Sequence, residues 1–211
     1  MVQTFCRTKY ATAYSNLGDL YYYGEGVGED LRKAADYYTI GANLNSPMCM
    51  YNLAYCYYSG EGVEKDERKA FELYKKSAEL GYCPAQEELG KIYKRGLMGK
   101  KESPKMSFNW YSKAAEQGSD TGEFYMGYFY AKGYGVKKDV NQSFEWYSKA
   151  VKQGNPHALN NFAYCYEQGI GTSIDLPKAA YYYEKAAKMG NTTAQKNLAK
   201  CYKKGIGGGA G

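Results

Sequence analysis

The chain has 211 residues, of which 44% are hydrophobic and 24% charged, a balance typical of a soluble folded protein. Its net charge of +6 is spread over 28 Lys and Arg balanced by 22 Asp and Glu, so we expect no dedicated nucleic-acid surface. No stretch has the continuous apolar run of a signal peptide or a membrane span. We therefore expect a cytoplasmic protein without membrane insertion.

An internal repeat explains the 25 glycines. One glycine returns every 36 or 37 residues, at Gly24, Gly60, Gly96, Gly133, Gly169 and Gly205. In chain order, residues 1–9 match the tail of a second helix or a cap, and repeats 1 to 5 follow at 10–45, 46–81, 82–118, 119–154 and 155–190. Residues 191–211 form an incomplete sixth repeat, and we expect a single repeat domain over 1–211.

Each repeat predicts two helices joined by a glycine loop. The first helix ends at the recurring glycine, and the second begins after an aspartate that can cap its free N–H groups. These aspartates are Asp30, Asp66, Asp139 and Asp175. The second helices stop at residues that tolerate the left-handed conformation, namely Asn45, Gly81, Gly118, Gly154 and Gly190. The third repeat lacks the aspartate and spaces its glycines differently, so an altered loop is expected there.

Small residues six positions before each loop glycine, such as Gly18 and Ala54, let neighbouring helices approach closely. One helix pair cannot bury its own apolar faces, whereas stacked pairs can. We therefore predict an all-α fold: an α-solenoid of helix-turn-helix repeats wound as a right-handed superhelix.

The pattern Leu-Gly-x-x-Tyr-x-x-Gly-x-Gly-Val-x-x-Asp-x-x-Lys-Ala resembles the Sel-1-like repeat, a branch of the tetratricopeptide-like superfamily. The resemblance extends from about Tyr10 to Gly207. It implies a non-catalytic scaffold or adaptor that binds a protein or peptide partner in a concave groove. It also allows a structural segment of a longer repeat protein that regulates an enzyme or a degradation complex. An uncapped end repeat could also pair with another copy of the chain.

On a helical wheel, positions 12, 8, 5 and 1 before each loop glycine lie opposite the apolar face. We call these positions the groove stripe, because the superfamily resemblance implies that they line the groove. The candidate binding residues are Asn16, Asn52, Tyr55, Lys91, Tyr125, Tyr128, Asn161, Tyr164, Asn197 and Lys200. The asparagines could bind a peptide backbone or hydrogen-bond within the repeat, and the tyrosines could be binding hot spots or half-exposed packing residues.

Charge along the groove stripe is graded. The later repeats carry Lys132, Lys200 and Lys204 in addition to Lys91 and Arg95 in the third, whereas Asp19 stands near the start. An acidic or carboxylate-ended peptide in the later repeats would fit this gradient, and a solvated lysine face would explain it as well.

The sequence predicts no catalytic residue, cofactor or metal. Its single histidine, His157, has no evident orienting acid, and no C-x-x-C pair occurs. Cys56, Cys165 and Cys201 recur at one apolar helical position, which favours buried free thiols over disulfides. Some cysteine-rich bacterial relatives resemble β-lactamase-like hydrolases, but this chain has neither their paired cysteines nor a Ser-x-x-Lys motif.

Overall fold

The computed structural model describes the backbone of residues 2–206 and the side chains of residues 12–206. This part of the chain contains eleven α-helices and no strand. They are α1 (Val2–Tyr23), α2 (Leu31–Asn43), α3 (Pro47–Ser59), α4 (Glu67–Glu79), α5 (Cys83–Arg95), α6 (Pro104–Glu116), α7 (Asp120–Lys132), α8 (Val140–Lys152), α9 (Pro156–Gln168), α10 (Leu176–Lys188) and α11 (Thr192–Lys203). The predicted all-α repeat fold is confirmed.

The chain divides into two compact units, residues 1–103 and residues 104–211. Unit 1 holds α1 to α5, and unit 2 holds α6 to α11. Within each unit, consecutive helices pack against one another. The odd-numbered helices are the first helices of the repeats, and the even-numbered ones are the second helices. The single domain over 1–211 stays a prediction, and residues 207–211 of the sixth repeat lie outside the described residues.

The start of the chain differs from its predicted organisation. Residues 2–9 do not form the end of a separate second helix, since α1 runs unbroken through Val2–Tyr23. The physical reason is local. No Gly or Asn stands near residue 10 where Asn45 and Gly81 stop α2 and α4, so the helix continues into the first repeat.

The predicted helix boundaries are confirmed by their caps. The side chains of Asp30, Asp66, Asp139 and Asp175 each accept a hydrogen bond from the first turn of the helix that follows. Asn45 has the left-handed φ of 62° predicted for a helix stop. The caps and stops explain why α2 to α10 all have the same length of 13 residues.

The loop of the third repeat is altered, as predicted. Three of its residues adopt a left-handed backbone, including Met98 at φ 52°, whose side chain is buried. Ser103 takes the place of the missing aspartate. Its backbone N–H donates to the Tyr93 carbonyl at 2.8 Å, as that of Asp66 does to Tyr57 at 2.8 Å. The extra residue thus lies within the loop, and α6 begins directly after Ser103 as α4 does after Asp66.

The second glycine of the loop packs against the preceding repeat. A Cβ on Gly62 would lie 2.0 Å from the Leu31 carbonyl oxygen at the start of α2. A Cβ on Gly135 would lie 2.2 Å from the Pro104 carbonyl oxygen in the same way within unit 2. Both glycines also have a left-handed φ, of 73° and 74°. The Gly-x-Gly motif therefore joins neighbouring repeats and is a structural contact, not a ligand cradle.

The apolar face of the first helices forms the core. In repeat 2 the residues of this face include Cys49, Leu53, Ala54 and Cys56, all buried. Gly18 contacts the ring of Tyr38 so closely that a Cβ would lie 2.3 Å from it. The predicted buried thiols are confirmed, since Cys56, Cys165 and Cys201 are free and at most 4% exposed. Cys6 lies outside the described side chains.

Candidate functional site: the groove stripe

The groove stripe lies outside the core in both units. None of its 24 side chains, from Thr12 to Lys204, is buried. Tyr55 is 43% exposed and Tyr164 is 47% exposed, although each stands beside a fully buried neighbour, Ala54 or Ala163. The stripe is therefore a surface that repeat packing leaves open, and its large side chains give it area for a partner.

Each second helix carries a buried tyrosine, and those of α2, α6 and α8 contact the groove stripe. We call these the repeat tyrosines, and none is more than 3% exposed. They are Tyr38, Tyr74, Tyr111, Tyr147 and Tyr183. The Tyr38 hydroxyl donates to Asp19 at 2.6 Å, and the Tyr147 hydroxyl accepts from the Asn161 amide at 3.0 Å. Burial raises the pKa of both phenols, so the hydroxyls remain protonated.

One cavity of unit 1 combines tyrosine rings with a carboxylate. We call it the Asp19 pocket; its volume is about 340 Å³. It is lined by Asp19, Tyr22, Tyr23, Tyr38, Tyr51, Asn52 and Tyr55. Oδ1 of Asp19 accepts from both the Tyr38 hydroxyl and the Asn52 amide, the latter at 3.2 Å. Thus a carboxylate held in one orientation faces a mostly aromatic wall.

A cavity of unit 2 occupies the same register but is basic. We call it the Lys132 pocket; its volume is about 500 Å³. Its polar and aromatic lining residues include Tyr128, Lys132, Lys138, Ser143, Tyr147, Asn161 and Tyr164, and no acid lines it. Two lysines beside three tyrosines and an amide suit a carboxylate or another anion.

The structure brings together five of the predicted binding residues in these two pockets: Asn52 and Tyr55 in unit 1, and Tyr128, Asn161 and Tyr164 in unit 2. Asn16 and Lys200 are exposed outside them. Lys91 pairs with Glu88, at 3.0 Å and 3.1 Å from its two oxygens, which neutralises the groove stripe locally.

The remaining two predicted residues contact side chains of their own unit. Tyr125 stacks on Tyr111 with ring centroids 4.1 Å apart. The Asn197 amide donates to Asn160 at 3.3 Å. Asn52, Asn161 and Asn197 thus each donate to a side chain of the preceding repeat. An amide that makes one such bond retains a second N–H for a partner.

The sequence prediction missed several pocket residues. Tyr22 and Tyr51 lie just outside the groove stripe on the helical wheel. Tyr38 and Tyr147 lie on second helices, which the stripe does not include. The available signal was the strict recurrence of tyrosine in the second helices, because a buried phenol needs a partner for its hydroxyl. Lys138 lies in a loop, where helical periodicity offers no guidance.

The buried thiols Cys56 and Cys165 offer little nucleophilic chemistry. Burial raises the pKa of the Cys56 thiol to about 11 and that of Cys165 to about 12, so both are protonated near neutrality. His157 is exposed, and its ring lies 5.7 Å from that of Phe124. Among the residues that the structure describes, no group of three or more His, Cys, Asp or Glu could hold a metal ion.

Comparison with known proteins identifies the family. The model of the Sel1 repeat matches residues 11–46, 47–82, 83–119, 121–155, 156–191 and 192–210, and each match starts one or two residues after the start of the predicted repeat. The chain belongs to the Sel1 repeat family. Sel1 repeat proteins are generally protein-interaction scaffolds and are typically non-catalytic.

Solved Sel1 repeat structures share this architecture. The c5321 protective antigen of uropathogenic Escherichia coli is 37% identical, with a TM-score of 0.86 over 97% of this chain and 44% of that one. A Sel1 repeat protein from Oxalobacter formigenes is 33% identical, with a TM-score of 0.85 over 94% of this chain and 80% of that one.

A regulatory protein shares a shorter segment. Chitin synthase regulatory factor 3 of Schizosaccharomyces pombe is 47% identical over 51 residues, which are 24% of this chain and 5% of that protein. The chain thus spans less than half the length of the antigen and a small fraction of the yeast factor. Among the helices that the structure describes, none has both the length and the apolar character to cross a bilayer.

Proposed function

We propose that this Sel1 repeat protein is a non-catalytic scaffold that binds an extended peptide or a partner surface along the groove stripe. The observation that carries the proposal is the pair of pockets in which predicted stripe residues converge at the same repeat register. Binding energy would come from pre-organised tyrosine area and oriented polar groups, with no bond made or broken.

The polar groups of each pocket are held before a partner arrives. Asn161 is tied to Tyr147 at 3.0 Å, and Asn52 to Asp19 at 3.2 Å. Side chains already fixed lose little rotamer entropy on binding, whereas a freely rotating residue costs about 0.5–1.5 kcal/mol. A groove of this kind favours one binding geometry over a set of loose contacts.

The Lys132 pocket suits an acidic side chain or a chain-terminal carboxylate. Its lining combines Lys132 and Lys138 with the half-exposed ring of Tyr164. Three further expectations stay predictions. They are a cytoplasmic location, self-association through end repeats, and no binding of nucleic acid.

Peptide selection tests the scaffold role. Immobilised protein is used to select from a displayed library of random peptides, and the affinities of the winners are measured by fluorescence polarisation. We expect peptides rich in Asp or Glu, and at least about tenfold weaker binding by the double variant Tyr164→Ala, Lys132→Gln, since a central tyrosine is worth ~2 kcal/mol.

The control variant carries the same chemical changes elsewhere in unit 2. Tyr181→Ala, Lys152→Gln alters an exposed tyrosine and an exposed lysine on second helices, away from the Lys132 pocket. It should keep the wild-type affinity. Selection of no peptide, or equal loss in both variants, would contradict binding in this groove.

A further inference from the structure

We propose that the Asp19 pocket binds a cationic side chain of the partner, a lysine or an arginine. This inference rests on the proposed scaffold function and names the chemistry of one contact in it. It starts from the lining, which contains one carboxylate, one amide and five tyrosines, with no Lys or Arg. Such a lining offers negative potential and aromatic surface together.

The Asp19 carboxylate is oriented but not neutralised. Its Oδ1 accepts from two neutral donors, the Tyr38 hydroxyl and the Asn52 amide. Among the described side chains, no cation lies within 4.0 Å of Asp19 and no donor reaches its Oδ2. The remaining oxygen can therefore accept a charge-assisted hydrogen bond from a partner.

Five tyrosines line the same pocket as the carboxylate. The rings of Tyr22 and Tyr23 meet edge to face at 4.9 Å, and those of Tyr22 and Tyr55 at 6.4 Å. An aromatic ring carries negative charge on its face and attracts a cation placed within about 6 Å of its centroid. Because these rings meet at steep angles and do not stack, they leave a cavity between them. We call the rings of Tyr22, Tyr23 and Tyr55 the cage.

A second carboxylate stands beside the cage. The Tyr22 hydroxyl donates to Glu61 in the loop after α3, and the described residues include no salt-bridge partner for Glu61. Burial and this bond raise the pKa of Tyr22, so the phenol stays a neutral donor. The two carboxylates make the region attractive to a cation and unfavourable to an anion.

The size of the pocket supports a single long side chain. Its volume of about 340 Å³ is at the lower end of ligand cavities, which run from roughly 300 to 1,000 Å³. A flexible alkyl chain can pack along the tyrosine rings while its charged head reaches Asp19.

Two small probes that differ by one charge test the inference. Nitrogen-15-labelled protein is titrated with N-acetyl-lysine methylamide or with its neutral analogue N-acetyl-norleucine methylamide, and the side-chain amide signals of Asn52 are followed by NMR. We expect millimolar saturable shifts with the lysine compound that weaken as salt is added, because exposed charges are screened. Equal responses to the two probes would overturn the inference.

Variants locate the binding. Asp19→Asn keeps an acceptor for Tyr38 and removes the charge, and it should weaken lysine-probe binding at least about fivefold. Tyr55→Leu should weaken it about two- to fivefold, the range expected for one exposed cation–π contact. The matched control Glu72→Gln, which neutralises an exposed acid of α4, should bind as the wild type does. Unchanged binding by Asp19→Asn would contradict the proposal.

The outcome is separable from the scaffold test. If the lysine probe fails while acidic peptides are still selected through the Lys132 pocket, the cation site is wrong and the scaffold stands. If the probe binds at Asp19 and no peptide is selected, the pocket is a cation site and the scaffold role fails.

Discussion

The Asp19 pocket of unit 1 and the Lys132 pocket of unit 2 are built at the same register with opposite charge. Tyr38 corresponds to Tyr147, Asn52 to Asn161, and Tyr55 to Tyr164. The pockets differ where Asp19, Tyr22 and Tyr23 of the first correspond to Tyr128, Ala131 and Lys132 of the second. The two pockets thus share a tyrosine and amide framework. They differ in charge through these first-helix positions and through Lys138, a loop residue that lines the Lys132 pocket.

The largest effect should come from the contact that both units share. Gly62→Ala and Gly135→Ala would each place a methyl group about 2 Å from a backbone carbonyl oxygen at a left-handed φ. Together, overpacking and backbone strain should cost roughly 2–4 kcal/mol in either unit. Calorimetric melting of each variant measures this cost.

Gly26→Ala is the matched control within unit 1. Gly26 has φ 74°, against 73° for Gly62, but a Cβ there would meet nothing within 4 Å. It should cost only the left-handed strain of about 1–2 kcal/mol. Equal losses for Gly26→Ala and Gly62→Ala would show that the close approach to the preceding repeat has no energetic weight.

The second effect should separate the two units. Tyr38→Phe removes a donor from the charged Asp19, whereas Tyr147→Phe removes an acceptor from the neutral Asn161. A hydrogen bond to a charged group contributes about 1.5–3 kcal/mol to stability, and one between neutral groups about 0.5–1.5 kcal/mol. The contribution of the Tyr38–Asp19 bond is reduced because Asp19 is partly exposed.

Urea denaturation of both variants measures the difference. The loss should be greater for Tyr38→Phe, and it should shrink when Asp19→Asn is present in the same chain. A larger loss of stability for Tyr147→Phe would mean that the charge of Asp19 does not strengthen its hydrogen bond with Tyr38.

The smallest effect concerns acid. Backbone hydrogen bonds from the helix start hold the pKa of Asp66 below its usual range, and the same holds for Asp175 in unit 2. A carboxyl with a lowered folded-state pKa stabilises above its unfolded value of about 4 and loses that contribution as the pH falls through the folded value.

The acid prediction is tested with asparagine, which caps a helix without titrating. Asp66→Asn and Asp175→Asn should each melt slightly below the wild type at pH 7, and the gap should close near pH 2. Melting curves at several pH values check this for both units. A gap that widens in acid would contradict the assigned role of the aspartate charge.

Local sequence rules were sufficient for the helices and their ends. The Asp66 cap and the Asn45 stop each follow from the conformation of a few neighbouring residues, so they could be predicted without tertiary information. Residues 2–9 align with the end of a second helix, but no Gly or Asn follows them to stop one. The helix therefore continues into the first repeat.

The pockets could be predicted only in part. Helical periodicity identified the open face that carries Asn52 and Tyr55. It could not show that Tyr38, on another helix, places its hydroxyl 2.6 Å from Asp19, since that contact depends on how α1 and α2 pack. Nor could it show that Lys91 is neutralised by Glu88, because alternative rotamers of both side chains point elsewhere.

The repeat tyrosine has a consequence for how such a protein can diversify. A phenol hydroxyl can both donate and accept a hydrogen bond. The hydroxyl of Tyr38 donates to Asp19 in unit 1, and that of Tyr147 accepts from Asn161 in unit 2. The buried tyrosine is retained although the position of the charged Asp19 is held by the neutral Tyr128 in unit 2. The binding specificity of one repeat can therefore change, in evolution or by design, through surface substitutions alone while the buried tyrosine is kept.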